Sequence, residues 1–206
     1  MKGLLFSYLI AGSALLFSCN SGEEKKSETP ASENKTASAT DNSDLKQETP
    51  TFTNVDPKVA SGINEVIDHY IHIKTALGND DSQEAASGGN AMAAALGKID
   101  HAALAQDQMK LFMDVSEALK EHAEHIADNA KNIGHQREHF VTMSEDVYDL
   151  VKGFGYKQPL YIDNCSMAND NKGADWLSQE KDITSNPYMG KKMPKCGTTE
   201  KVITTK

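Results

Sequence analysis

Long hydrophobic runs are scarce in this sequence: the apolar stretch from Leu4 to Phe17 is too short to span a bilayer as a helix. Basic charge is short as well, with 21 Lys and Arg against 30 Asp and Glu and a formal net charge of −9. That balance argues against nucleic acid and against docking on an anionic membrane through charge. Catalytic signatures are missing too. The sequence holds no G-x-S-x-G, no HExxH and no phosphate-cradling glycine loop, and no basic partner is assigned to its cysteines, so the chain is not expected to be an enzyme. It has no CxxCH for covalent haem and no Glu-x-x-His for a di-iron bundle.

Cysteine is rare, with three in the chain, and each has a distinct setting. Lys2, the apolar run and Ser18-Cys19 make residues 1–18 a lipoprotein signal peptide, with Leu16-Phe17-Ser18-Cys19 resembling a bacterial lipobox. Cys19 is then the lipidated first residue of the mature protein. Asn20 is not the aspartate associated with inner-membrane retention, so the expected address is the outer membrane, facing the periplasm or the cell surface. Residues 19–54 are rich in Ser, Thr, Glu, Lys and Asn and poor in large apolar side chains. Such a segment buries too little area to offset its ordering entropy and reads as a disordered tether. Residues 55–206 form the folded domain.

Strand signals are sparse, limited to Leu160–Ile162 and Lys201–Thr204, whereas helical periodicity is strong. Val59, Ile63, Val66, Tyr70, Ile73 and Leu77 form one seam, ending at Gly78-Asn79. A second helix starts at the Asp80-Asp81-Ser82 cap region with a small-residue seam of Ala85, Gly89, Met92, Leu96, Ile99 and Ala103. A third begins near Asp107 and carries Phe112, Val115, Leu119, His122 or Ala123, and Ile126. The fourth runs from about Ile133 through Arg137, Phe140, Ser144, Val147 and Val151 to Gly153-Phe154-Gly155. The reading is a mainly α fold: an antiparallel four-helix up-down bundle followed by an irregular Cys/Met-containing C-terminal segment, 161–197.

Six of the seven histidines fall in pairs: His69/His72, His122/His125 and His135/His139. Spacings of three or four place each pair on one helix face, so each could donate two metal ligands, His135/His139 having the spacing seen in zinc helices. The plainer reading, solvated or half-buried helix residues, is preferred, because nothing in the sequence makes two pairs face each other. Gln136 in the place of a catalytic glutamate excludes the metalloprotease motif. Gln136 and Arg137 either anchor the loop that follows or face solvent.

The C-terminal segment concentrates sulfur. Cys165-Ser166-Met167 and Met193-Pro194-Lys195-Cys196 bracket a loop that carries Trp176, the only tryptophan. Thiolate and thioether are soft ligands that together favour Cu(I) over hard cations, so Cys165, Met167, Met193 and Cys196 are candidate ligands, with Met189 a weaker one. Equally, two cysteines in an exported domain tend to pair. A Cys165–Cys196 disulfide would make the protein a structural or interaction module without metal. Both alternatives stand at this level.

The matches Tyr70, Ile73-Lys74-x-Ala76-Leu77, Gln136-Arg137-x-x-Phe140, Cys165-x-Met167-Ala168, Gly173-Ala174-x-Trp176-Leu177-Ser178, Ile183-x-x-Asn186-Pro187-Tyr188-x-Gly190 and Met193-x-x-Cys196-Gly197 together resemble the DUF3347 family, over about residues 57–203. That family occurs as stand-alone exported proteins and attached to periplasmic adaptor subunits of heavy-metal efflux pumps. The resemblance implies a heavy-metal-associated domain with copper foremost, the four sulfur residues as ligands, and a metal-efflux adaptor or another copper-handling protein as partner. Ser166 stands where the family has proline, and Met189 where an aromatic is common.

Overall fold

The computed structural model describes residues 45–205. The signal peptide, Cys19 and the tether up to residue 44 lie outside them. Among the described residues, no helix is long and apolar enough to cross a membrane.

Four long helices come first. α1 (Pro57–Gly78) starts where the Asp56 carboxylate accepts from the Lys58 amide at 2.8 Å, with Pro57 filling a position whose N–H would have no intrahelical partner. Its seam is buried throughout. α2 (Ser82–Leu96) is capped by Asp81, which accepts from Glu84 N at 3.0 Å. It stops at Leu96 instead of reaching Ala103. Asp100 caps a separate 3-10 turn at His101–Ala103 by accepting from Ala102 N, and Ile99 fills the core from the loop between. α3 (Gln106–Asp128) and α4 (Ile133–Phe154) follow, and α4 ends on Gly155, whose φ of 81° favours glycine.

Each helix packs on the next, and α1 also meets α4. The small seam of α2 has the steric role that its composition indicates: a Cβ on Gly89 would lie 2.5 Å from the Ala123 carbonyl oxygen of α3. Glycine there lets the two helices come together at backbone distance.

The C-terminal segment is irregular only in part, between residues 179 and 197, where a single 3-10 turn interrupts the loop; the rest contributes two strands to a sheet. β1 (Lys46–Glu48), β2 (Leu160–Cys165), β3 (Ala174–Ser178) and β4 (Thr198–Ile203) form a mixed sheet in the order β1-β4-β2-β3, with β1 parallel to β4 and the other pairs antiparallel. The two strand signals, Leu160–Ile162 and Lys201–Thr204, fall in β2 and β4, and the rest of the sheet carries none. β2 is central and almost wholly buried, so its later residues lack the alternation that marks a half-buried strand. β1 is Lys-Gln-Glu, joined to β4 by backbone alone, and its sequence is indistinguishable from the polar stretch before it.

The folded part therefore reaches back to residue 46 and not only to 55. Thr51 and Phe52 amides donate to the Lys152 and Gly153 carbonyls at 2.8 and 2.9 Å, and Phe52 packs edge-on against Phe154. Glu48 accepts from Tyr148 Oη at 2.7 Å and pairs with Lys152 at 3.2 Å.

Sheet and helices share one core. Tyr70 of α1 stacks on Phe140 of α4 at 4.9 Å, its hydroxyl lies 2.8 Å from Ser144 Oγ, and it accepts from the Leu177 amide of β3 at 3.0 Å. Trp176 and Tyr188 meet edge to face beside them. Burial pushes the Tyr70 hydroxyl well above its ordinary range, so it stays protonated.

Candidate metal centre

The link between α3 and α4 is short, residues 129–132, which forces the end of one helix against the start of the other. On α3 the core takes Ala123 and Ile126; on α4 it takes Gln136 and Phe140. His122, His125, His135 and His139 each sit one residue before one of those four core positions. All four therefore fall on the rim of the same helix pair. Asn132 caps α4 by accepting from the His135 amide, and the buried Gln136 amide donates to Ile126 O at 2.9 Å and Ser82 O at 2.8 Å. That bracing fixes the rotation of α4 relative to α3 and to the start of α2.

The two pairs face each other. His125, His135 and His139 each bring a ring nitrogen within 4.8 Å of the others'. His125 stacks on His139 at 4.3 Å, and His135 meets His139 edge-on at 4.6 Å. His139 Nε2 lies 3.2 Å from His135 Nε2, and its Nδ1 lies 3.0 Å from His122 Nδ1. Carboxylates stand behind the rings: Glu138 Oε2 is 3.0 Å from His135 Nδ1, and Glu121 Oε1 is 3.8 Å from His125 Nε2.

Electrostatics favour the neutral rings that ligate metal. Burial lowers the pKa of His139, and the three neighbouring histidines lower it further. Burial also lowers that of His122, with Glu121 opposing and His125 adding to the fall. At neutral pH both rings carry free lone pairs, as imidazole ligands must. The trio could hold one borderline transition-metal ion. Ligand nitrogens around such an ion stand about 3.3 Å apart, given metal–nitrogen distances near 2.0–2.1 Å, so small ring rotations inward would close the site.

The sulfur residues are arranged differently. Cys165 at the end of β2 and Cys196 before β4 do meet, with Cα atoms 5.8 Å apart, and they form a disulfide. In that state neither offers a thiolate. Met167 is exposed and lines a cavity of about 410 Å³ with Met189, Arg137, Glu138 and Tyr188; Met193 is not among the residues lining it. Three successive left-handed residues, Asn169, Asp170 and Asn171 with φ of 50°, 56° and 64°, also line the cavity. Arg137 is the loop anchor: its Nε donates to Pro187 O and its Nη2 to Leu77 O, both at 2.8 Å, and Nη2 pairs with Asp80 at 2.6 Å.

The histidine meeting was the missed feature. The signal was present as spacing: two pairs, each just ahead of core positions, on helices joined by a four-residue link.

The described residues thus form a mainly helical domain that pairs a histidine-lined helix hairpin with a disulfide-closed sheet. Residues 66–159, most of α1 through α4, match the family model DUF3347, described as a protein of unknown function. The match takes in all four clustered histidines and ends before β2, so Cys165 and Cys196 lie beyond it. No curated protein and no solved structure matches the chain.

Proposed function

We propose that this is a lipid-anchored exported protein that binds a soft or borderline transition metal, copper foremost, for resistance, buffering or hand-over to a metal-efflux adaptor or another copper-handling protein. The observation that carries the reading is the convergence of His125, His135 and His139 within 4.8 Å. Imidazole suits copper, zinc and nickel and is a poor match for magnesium or calcium, so the donor set narrows the ion class. Three ligands leave a coordination position open, which suits an ion that must be received and released rather than one locked in as a staple. The role is binding, not catalysis. Lipidation at Cys19 places it on the outer membrane, facing the periplasm or the cell surface, and the helices run up and down as an antiparallel bundle.

Cu(I) at Cys165, Met167, Met193 and Cys196 belongs to the reduced state of the same protein, since a thiolate site requires the disulfide to open. The second reading is a metal-free structural or interaction module, favoured by that disulfide. Competition titration of Cu(I) against a chromophoric chelator, on the full chain without reductant, separates them. One tight equivalent that disappears in His125→Ala/His135→Ala/His139→Ala and survives in Cys165→Ser/Cys196→Ser supports the imidazole centre. Binding no tighter in the wild type than in the histidine variant sinks it.

A further inference from the structure

We infer that His122 is an outer partner of the centre rather than its fourth ligand, and that loading a metal opens a hydrogen-bond chain running from His122 to Glu138 at its middle and reverses its His122–His139 link. The inference rests on the imidazole centre just proposed. It follows from ring-nitrogen distances and from the rule that a neutral imidazole carries one ring proton.

The chain is read from its acceptor end. Glu138 Oε2, as a carboxylate, only accepts, so at 3.0 Å His135 donates from Nδ1, and its Nε2 is left as an acceptor. His139 Nε2, 3.2 Å away, must then donate to it, which leaves His139 Nδ1 without a proton. His122 Nδ1, 3.0 Å from that atom, donates in turn. The metal-free order is therefore His122 to His139 to His135 to Glu138, each ring neutral and each bond satisfied.

Metal binding through Nε2 of His135 and His139 breaks the middle bond. His135 needs no change, because its Nε2 already presents a lone pair and its Nδ1–H stays on Glu138. That is the carboxylate–histidine–metal arrangement that orients many ligating rings. His139 must give up its Nε2 proton. It stays neutral by taking the proton of His122 on Nδ1, while His122 takes one from solvent on Nε2. One proton leaves His139 Nε2, one crosses between the two Nδ1 atoms and one arrives at His122 Nε2, so no net charge is gained or lost. His122 Nδ1 ends as an acceptor and holds His139 in its ligating tautomer. A ring committed in that way has its Nδ1 lone pair engaged by His139 and cannot turn it to the metal.

The test is nitrogen-15 long-range NMR of the full chain, labelled on histidine, without metal and with one equivalent of Cu(I), which is diamagnetic. The expected result is His122 protonated on Nδ1 without metal and on Nε2 with it, and His139 the reverse. His122→Ala should weaken Cu(I) binding about 10- to 100-fold, and His122→Asn should recover part of the loss, because its amide oxygen accepts the same N–H. A purely structural role would be blind to that distinction. The inference is overturned by an unaltered His122 tautomer, by a metal-bound nitrogen shift on His122 itself, or by full affinity in His122→Ala. Failure of the wild type to bind Cu(I) would remove the metal reading as well, whereas binding without the tautomer exchange removes this inference alone.

Discussion

Arg137 of α4 reaches Asp80 in the α1–α2 turn at 2.6 Å, and the same guanidinium holds the carbonyls of Leu77 and Pro187. Asp80 is held below the usual carboxylate range, first by its hydrogen bond to Arg137. The relationship ties two segments distant in sequence, the end of α1 with its turn and the Pro187 loop, to the helix that carries His135 and His139. Arg137→Met should leave two carbonyls without their donor and cost about 2–3 kcal/mol in a denaturant titration. Arg137→Lys should recover less than half of that, because an ammonium cannot reproduce the planar fork.

Gly89→Ala places a methyl against the Ala123 carbonyl, which belongs to backbone and cannot step aside. The helices must separate, at about 1–3 kcal/mol. Since Ala123 adjoins His122, metal affinity should fall together with thermal midpoint. A variant that lost neither would contradict the close approach.

Removing the disulfide should be costly but local. Cys165→Ser/Cys196→Ser frees a loop of sequence separation 31, worth about 3–4 kcal/mol in the chain-entropy model. Guanidinium unfolding should show that loss, while the histidine centre, on other elements, keeps its affinity in the native baseline.

Two carboxylates give opposite pH dependences. Burial raises Glu48, but Tyr148, Lys46 and Lys152 outweigh it and hold it at about 2, below its ordinary 4.5. Its contribution is present above 4.5 and is lost as the pH falls towards 2. Burial raises Asp163 from 3.8 to about 6, with Thr199 and Lys74 opposing. Its contribution is full below 3.8 and is lost as the pH rises through 6. Stability measured from pH 2 to 8 should therefore rise on the acid limb and decline between 4 and 7. Glu48→Gln should flatten the former and Asp163→Asn the latter.

Helix positions were legible because α1, α3 and α4 repeat large apolar residues every three or four positions; Asp56, Asp81 and Asn132 cap α1, α2 and α4. The end of α2 was not, because Ile99 continues the spacing from a loop. The sheet was half legible: Leu160–Ile162 and Lys201–Thr204 marked its two inner strands, while β3 and β1 carry no pattern of their own. The pairing of Cys165 with Cys196 was open between bond and metal, and the fold brings them to bonding distance. His122 and His139 are 17 residues apart, and their contact depends on the rotation of two helices about their axes, which Gln136 settles by bonds to Ile126 and Ser82.

X-ray absorption at the copper edge, on the full chain loaded with one equivalent of Cu(I) without reductant, tests the central claim most directly. The account predicts a shell of two to three nitrogens at about 2.0 Å with the outer-shell scattering of imidazole rings. A shell made of sulfur alone at about 2.3 Å, or copper that washes away on desalting, would contradict it.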